Sequence, residues 1–340
     1  MRPFIYISNM IRVTPNLHGR LVMAFVAIFL LGCSKPGYWK NNEISEGKRD
    51  DMHELNDKAL DLIKKGDTEI LESLLSKELI AENSTDARVK NIGHALVTDT
   101  FKRMDEYYVV NKYLGADTIK SHLKDVNAYS LIYPAVTQEM YFMHFIQAKK
   151  EVPNKQIITI GYAKYSYGWK IGFMDMQPYG FNGKNAQELY KTAQEQYNKG
   201  QLIDALNNMN LAIVSLRPSE LWVYDNEAEV HRFYNKVTVD AAKVYKFPTP
   251  VDDLLSRPYI ISINNKTTRE GSFPQITYIT KVKLKDTAAI KAENLLIRKA
   301  LIKLMPGIDK NNQYIYYLAY NQQPTSENYL SRYDMVDKLW

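Results

Sequence analysis

The spacing of the apolar residues changes within the first half of the chain, and this change limits the folds open to it. Between Asp51 and Met104, apolar residues recur every three or four positions, which is typical of one face of a helix. Between Met140 and Met174 they alternate with a period of two, which is typical of strands. Helices followed by antiparallel strands predict an α+β fold.

The helical part is predicted to contain three helices. The first one ends at Gly66 and Asp67, because glycine readily takes the backbone conformation that closes a helix. A second, short helix is predicted over 70–75 and a third over 88–104.

The strands that follow are separated by short turns, which predicts an antiparallel meander over 140–146, 156–165 and 169–174. Helices followed by long strands that close on Gly168-Trp169-Lys170-Ile171 resemble the NTF2-like (cystatin-like) α+β fold. The resemblance implies an NTF2-like domain over 51–180. That fold hosts both enzymes and inert binding modules, so it implies little about activity.

A helical hairpin is predicted next, with two helices over 185–216 that are joined at 198–200. Several of its residues have the spacing of a tetratricopeptide repeat, which the hairpin resembles: Ala193, Tyr197, Gly200, Leu202, Ala205 and Ala212. One such unit is found, and the helix predicted over 221–245 does not repeat the pattern. Because an array needs about three units, we expect region 181–246 to dock on neighbouring domains rather than form a peptide-binding superhelix.

A proline-rich segment, Phe247-Pro248-Thr249-Pro250, marks the next boundary. Beyond it, strands are predicted over 259–263 and 275–284, followed by a helix capped at Asp286 or Thr287 and a strand over 313–321. Region 247–340 is therefore expected to be a small α+β domain. Residues 330–340 are predicted to form a short closing helix.

The leader has a basic stretch without acidic residues, then an uninterrupted apolar run over 21–31, then Gly32 and Cys33. These are the parts of a secretory signal. Eleven apolar residues are too few to span the ~30 Å core of a bilayer, although an anchoring or buried helix is an alternative. Leu30-Leu31-Gly32-Cys33 fits the lipobox, and the leader resembles that of bacterial lipoproteins.

This resemblance implies that the chain loses a signal peptide over 1–32 and is lipidated on Cys33. Translation starts at Met1 or at Met10, and Met10 would be the more usual start for such a signal. Two acyl groups are consistent with stable anchoring, because one chain binds a membrane only marginally. The polar segment 33–50 is expected to be a flexible tether. Because Ser34 rather than aspartate follows the cysteine, the expected location in a Gram-negative cell is the periplasmic face of the outer membrane.

Composition excludes several classes of function. Cys33 is the only cysteine, so the mature chain has no internal disulfide and no cysteine nucleophile. Removing residues 1–32 removes three arginines and no acid, which leaves 41 basic and 38 acidic residues. Such near balance, without a basic run, argues against a nucleic-acid partner. No glycine-rich phosphate loop is found among the 15 glycines, and no cofactor is expected.

Metal and catalytic motifs are weak. The segment that begins at His53 looks like a fragment of the zinc-protease helix motif, but Asp57 stands where the second histidine would be. We interpret it as the start of a helix, where acidic residues favour the helix dipole. His144 lies on a strand face with apolar neighbours and is interpreted as a half-buried histidine. The alternative is a catalytic base, with Asp175 as a nearby acid.

Two groups of aromatic residues are candidate binding surfaces. The last predicted strand carries an alternating stripe, namely Tyr314, Tyr316, Leu318 and Tyr320. We expect the helix over 290–304 to cover this face; the alternative is an aromatic platform that stacks on sugar rings or flanks a peptide. A second group lies around a turn and is a candidate lining of a pocket in the NTF2-like cone: Tyr162, Tyr165, Tyr167 and Trp169.

The sequence therefore predicts a lipoprotein of the cell envelope that is held to the membrane by lipid. Its domains are expected to bind an envelope protein, a glycan or a small ligand without catalysis. The alternative is an enzyme acting on a small hydrophobic substrate in the NTF2-like cone through His144 or a nearby acid such as Asp175.

Overall fold

The computed structural model describes residues 35–325 and 330–340, so Cys33 and the signal segment 1–32 lie outside the described residues. The helices are α1 (Glu46–Lys65), α2 (Thr68–Glu72), α3 (Lys77–Ala81), α4 (Thr85–Thr98), α5 (Ala186–Asn198), α6 (Leu202–Val214), α7 (Glu227–Val244) and α8 (Thr287–Leu304). The strands are β1 (Gly37–Lys40), β2 (Phe101–Val110), β3 (Gly115–Lys120), β4 (Tyr129–Ala135), β5 (Glu139–Gln147), β6 (Lys155–Tyr165), β7 (Gly168–Phe181), β8 (Lys184–Asn185), β9 (Trp222–Tyr224), β10 (Thr249–Pro250), β11 (Tyr259–Thr267), β12 (Ser272–Ile279), β13 (Tyr314–Tyr320) and β14 (Arg332–Lys338).

The strands form three sheets. Their orders are β1-β2-β5-β6-β7-β8, β3-β4-β9 and β10-β11-β12-β13-β14. Neighbouring strands are antiparallel except β12 and β13, which run parallel and are connected through α8. The chain is a mixed helix-and-strand protein with mainly antiparallel sheets, which agrees with the predicted α+β class. None of the helices in the described ranges has the length and apolarity needed to cross a membrane.

The N-terminal helices cover one face of the six-stranded sheet. Helix α1 buries one stripe that includes Ala59, Leu62 and Ile63, and it ends at Gly66 with φ of 70°, as the sequence predicted. Helix α4 crosses α1 at Gly93. A Cβ atom there would lie 2.7 Å from the carbonyl oxygen of Ile63, so this close crossing requires glycine.

The prediction of a flexible tether over 33–50 is wrong for residues 37–50. Strand β1 pairs with β2 from Gly37 opposite Val110 to Lys40 opposite Tyr107, and α1 begins at Glu46. The polar composition suggested a tether, but the aromatic side chains of β1 add to the sheet. The ring of Trp39 stacks on that of Tyr108, with centroids 5.5 Å apart.

The helix predicted over 88–104 ends at Thr98 instead, and Phe101 begins β2. The residues of β2 belong to the sheet because β2 is its link between β1 and β5. The meander is confirmed: β5, β6 and β7 are consecutive antiparallel neighbours. Strands β3 and β4 were not predicted.

The hairpin of α5 and α6 is confirmed as two helices. Asn185 caps α5 by accepting from the Glu188 N–H at 3.0 Å, while Glu188 accepts from the Asn185 N–H at 2.8 Å. The single helix predicted over 221–245 is wrong at its start, because Trp222 begins β9, which pairs with β4 opposite Leu131. This strand fixes the hairpin region to the N-terminal domain.

The C-terminal part of the chain, 247–340, contains the predicted strand-strand-helix-strand order. Asp286 caps α8 by accepting from the Ala289 N–H at 3.0 Å. The closing helix predicted over 330–340 is wrong, because Arg332–Lys338 form β14 beside β13. Tyr333 and Met335 pack on the core while Asp334 between them is exposed, so the spacing here is two.

Candidate functional site

A polar cavity of about 410 Å³ lies where the three parts of the fold meet. Helices α5 and α6, the β11–β12 hairpin and the loop over 311–313 surround it, together with turns of the N-terminal domain at Pro153 and Asn182. We call it the amide cavity, because eight amide side chains line it: Asn182, Gln196, Asn207, Asn208, Asn265, Asn311, Asn312 and Gln313.

Hydrogen bonds between the modules hold the walls of the amide cavity in place. Asn182 clamps Ser272 at the start of β12: its Nδ2 donates to the Ser272 carbonyl at 2.8 Å, and its Oδ1 accepts from the Ser272 N–H at 2.7 Å. Asn265 on β11 donates through Nδ2 to the carbonyl of Asn207 on α6 at 2.8 Å. The walls are therefore preorganised, which lowers the entropy cost of binding.

Asp204 orients two of the amides from beneath. Its side chain is buried and accepts from Asn311 Nδ2 at 2.7 Å and from Asn312 Nδ2 at 2.9 Å. Burial raises the pKa of Asp204, and the two amide donors oppose this shift. Glycine at position 307 allows the backbone to pass close to the Asp204 carboxylate, because a Cβ atom there would lie 2.7 Å from Asp204 Oδ2. Since the Nδ2 atoms of Asn311 and Asn312 are engaged, their amide oxygens remain for a ligand.

Asn207 offers an unused hydrogen-bond donor. The residue is 7% exposed, and its Nδ2 has no hydrogen-bond partner within 35–325 and 330–340. A buried donor without a partner costs about 1–3 kcal/mol. Because Nδ2 itself is buried, a ligand can accept from it only when the Asn207 side chain turns toward the cavity, and that hydrogen bond would recover this free energy.

The cavity lining carries little charge and some aromatic surface. Its ionisable side chains are Lys184, whose Nζ donates to Thr192 Oγ1 at 2.9 Å, and Glu270. Phe273 is buried in the wall, while Trp340 is 66% exposed and also lines the cavity. Amides and rings without strong charge suit a neutral ligand rich in hydroxyl groups.

The tyrosine stripe of β13 continues from this cavity. The ring of Tyr314 meets that of Phe273 edge-on at 5.2 Å and lies 6.3 Å from that of Tyr316. The expectation that the helix over 290–304 covers this face is wrong. Helix α8 packs on the opposite face of β13, on residues that alternate with the stripe: Ile315, Tyr317 and Ala319.

The far end of the stripe is less accessible. Lys266 Nζ lies 4.6 Å from the ring centre of Tyr316, within the range of a cation–π contact. Tyr320 is buried at the other end of β13. The stripe therefore meets the amide cavity at Phe273, which lines the cavity and contacts Tyr314, and Tyr316 extends the aromatic surface away from it.

His144, in contrast, lies in a sealed core. It is 0% exposed, its Nδ1 forms a hydrogen bond with Thr159 Oγ1 at 3.0 Å, and the ring of Trp222 packs edge-on at 5.5 Å. Burial lowers the pKa of His144 to about 4. The structure therefore contradicts both the half-buried histidine and the accessible catalytic base that the sequence allowed.

Asp175, the acid considered beside His144, is also buried. Its Oδ2 accepts from Ser219 Oγ at 3.1 Å and from the Glu220 N–H at 2.8 Å. Burial raises the pKa of Asp175 to about 6, although both hydrogen bonds oppose the shift. It links β7 to the segment before β9, which is a structural role.

The second aromatic group is divided by the fold. Tyr162 is 1% exposed beneath α1 and donates to Asn56 Oδ1 at 3.1 Å, so it lies in the core instead of a pocket. Trp169 packs half-buried at the edge of that core, with Lys164 Nζ 5.9 Å from its ring. Tyr165 lines a separate, mainly apolar pocket of about 270 Å³.

Sequence reasoning missed the amide cavity, although the chain contains a signal for it. The chain has four asparagine doublets, and three of them, at 207–208, 264–265 and 311–312, each place at least one residue in the lining, whereas 41–42 does not. The doublets are far apart in the sequence, so only the tertiary structure reveals that they meet.

Within the part of the chain that the structure describes, no group of three or more His, Cys, Asp or Glu residues could hold a metal ion. Comparison of the chain with family models, curated proteins and solved structures gives no match. The candidate site is therefore assigned from its own geometry and chemistry.

Proposed function

We propose that this chain is a membrane-anchored lipoprotein of the cell envelope that binds a neutral glycan without catalysing a reaction on it. The amide cavity is the observation that carries the proposal. Amide groups donate and accept hydrogen bonds, as sugar hydroxyls require. The rings of Phe273, Tyr314 and Tyr316 offer apolar faces beside these polar groups, and sugar rings have both kinds of surface.

The carboxylates of the cavity favour binding over hydrolysis. Glycoside hydrolysis ordinarily uses a pair of carboxyl groups that flank the scissile bond. Glu270 is the one carboxylate of the cavity lining in the described chain. Asp204 lies beneath the lining, and its oxygens accept from Asn311 and Asn312. This arrangement supports a site that orients a ligand.

The anchoring part of the proposal rests on the leader. The lipobox at Leu30-Leu31-Gly32-Cys33 supports export, cleavage before Cys33 and lipidation of that residue. Because Ser34 follows, the periplasmic face of the outer membrane is the proposed location in a Gram-negative cell. There the folded part would meet envelope glycans.

We also propose a finer description of the fold. The order of α1–α4 followed by the long meander β5–β7 supports an NTF2-like domain over 51–180. The closely packed α5 and α6, with buried Ala193 and Ala205, support a single TPR-like hairpin.

Glycan binding is tested by calorimetry with the purified Cys33→Ala chain and three neutral oligosaccharides: cellotetraose, maltotetraose and mannotetraose. We expect at least one of them to bind. Asn207→Leu should weaken that binding about three- to tenfold, the value of one hydrogen bond. The variant should remain folded, because Asn207 Nδ2 has no partner to lose among the described residues.

The matched control is Asn83→Leu, an exposed position outside the cavity, which should bind like the parent chain. The proposal is wrong if none of the oligosaccharides binds at millimolar concentration. It is also wrong if Asn207→Leu and Asn83→Leu bind equally well.

A further inference from the structure

The apolar pocket of the N-terminal domain is a second site, separate from the amide cavity. Its floor is formed by β5, β6 and β7, and its rim includes α3 and the end of β4. Its volume of about 270 Å³ corresponds to roughly nine water molecules at ~30 Å³ each. The pocket therefore suits a small organic molecule rather than a long acyl chain.

Four aromatic rings line the pocket, and glycine allows two of them to close over its floor. Tyr165 and Phe173 are half-buried and expose ring surface, whereas Tyr133 and Phe142 are buried in the floor. A Cβ atom at Gly161 would lie 3.0 Å from the Phe142 ring and 3.2 Å from Phe173 Cβ. Since the faces of aromatic rings are negative, a ring-lined and partly desolvated pocket attracts cations.

The charged side chains at the rim of the pocket also favour a cation. Glu78 and Glu82 line the pocket, whereas the described lining contains no lysine, arginine or histidine. Glu82 forms an ion pair with Arg88 at 3.1 Å. Glu78 has no ion-pair partner in the described ranges; its Oε2 accepts from Tyr165 Oη at 3.1 Å, which holds the carboxylate beside a lining ring.

The nearby lysines do not neutralise this rim from within the pocket. Lys77 Nζ and Lys170 Nζ lie 5.8 Å and 5.6 Å from the ring of Tyr167, which stacks outside the lining on Tyr165. An anion in the pocket would face Glu78 and the negative ring faces. A neutral apolar molecule would use the rings but would leave Glu78 without a counter-charge.

We propose that this pocket binds a small organic cation, namely a quaternary ammonium or amine group on an apolar body. The cation lies against the half-buried rings of Tyr165 and Phe173, above a floor that contains Tyr133 and Phe142, and Glu78 supplies the counter-charge. This site is independent of glycan binding in the amide cavity, so either one can be refuted without the other.

The test compares choline with 3,3-dimethylbutan-1-ol, which has the same shape but carbon in place of the charged nitrogen. Binding to the purified Cys33→Ala chain is followed by NMR titration. We expect choline to bind at least about tenfold more tightly than the neutral alcohol, because only the cation gains the cation–π and carboxylate interactions. Equal affinity of the two probes, or no binding of choline at millimolar concentration, would overturn the proposal.

Two variants locate the binding. Glu78→Gln should weaken choline binding about three- to tenfold and leave the neutral alcohol unchanged, while Glu69→Gln, on the exposed face of α2, should change neither. Gly172→Leu should block both probes. A Cβ atom at this lining position would meet Ala163 Cβ at 3.9 Å, an ordinary contact, so the backbone there has room for a side chain that projects into the pocket. Unchanged choline binding in Glu78→Gln refutes the role of the carboxylate, even if Gly172→Leu misfolds.

Discussion

Replacing Asp175 by asparagine tests how unfolding moves a proton between two buried residues on neighbouring strands, Asp175 on β7 and His144 on β5. His144, Thr159 and Asp175 are direct neighbours across these three strands. Burial lowers the pKa of His144 from 6.5 to about 4 and raises the pKa of Asp175 from 3.8 to about 6. The pH ranges over which the two groups affect stability therefore nearly coincide, but their pKa shifts are opposite in direction.

Their contributions to stability have opposite signs. The raised pKa of Asp175 gives a contribution that is fully present below about pH 3.8 and is lost as the pH rises through about 6. The lowered pKa of His144 gives a contribution that is present above about pH 6.5 and is lost as the pH falls through about 4. Near pH 5 the folded chain and the unfolded chain each bind about one proton on these two side chains. In the folded chain Asp175 carries this proton, and in the unfolded chain His144 carries it.

In Asp175→Asn, only the histidine contribution remains. Between about pH 4 and 6 the unfolded variant then binds about one proton more than the folded variant. Its free energy of unfolding should rise by up to about 1.4 kcal/mol per pH unit relative to the parent, or about 2 kcal/mol over the range, because each group is half-titrated at one end of it. At higher pH the variant should be the more stable chain, because asparagine carries no charge and can still accept from Ser219 and Glu220.

The assay is urea unfolding of the Cys33→Ala chain, followed by tryptophan fluorescence at half-unit steps between about pH 4.5 and 8. Asp225→Asn is the control, because Asp225 is exposed; it should keep the pH profile of the parent. Equal slopes for Asp175→Asn and the parent would refute the proton exchange.

Two further predictions concern the helix crossing and the anchor. Gly93→Ala should lower the free energy of unfolding by about 1–3 kcal/mol, because its Cβ would lie 2.7 Å from the Ile63 carbonyl oxygen. The control in urea unfolding is Gly47→Ala, which should not be destabilised because no atom lies within 4 Å of its Cβ. Equal stability of the two variants would contradict the argument. Cys33→Ala should abolish incorporation of labelled palmitate in growing cells, whereas Ser34→Ala should retain it, and continued labelling of Cys33→Ala would refute the lipobox interpretation.

Local signals predicted much of the fold. Gly66 ends α1 and Asp286 caps α8 because these effects act within one turn of a helix. The meander followed from alternation and short turns. The helix prediction over 330–340 failed, because a short segment with few apolar residues gives little periodicity. The pairing of this segment with β13 is also a contact that its local sequence does not encode.

The sites depended on information that is not local. Alternation showed that Tyr314 and Tyr316 share one face of a strand, but it did not show which face α8 covers. His144 alternates like its neighbours, and its complete burial depends on Trp222, which is distant in sequence. The amide cavity needs three modules at once, and the clamp between Asn182 and β12 has no sequence signature.

Strand β1 has a consequence for how the molecule would stand on a membrane. It begins at Gly37, four positions after Cys33, and extended backbone covers at most ~3.6 Å per residue. With lipid on Cys33, the β1 edge of the sheet stays within ~15 Å of the bilayer surface. Strand β8, beside the amide cavity, is the opposite edge of this six-stranded sheet, five steps of ~4.8 Å away. A lipid on Cys33 would thus attach the molecule near one edge of the sheet, and the cavity would lie beside the opposite edge, ~24 Å across the sheet.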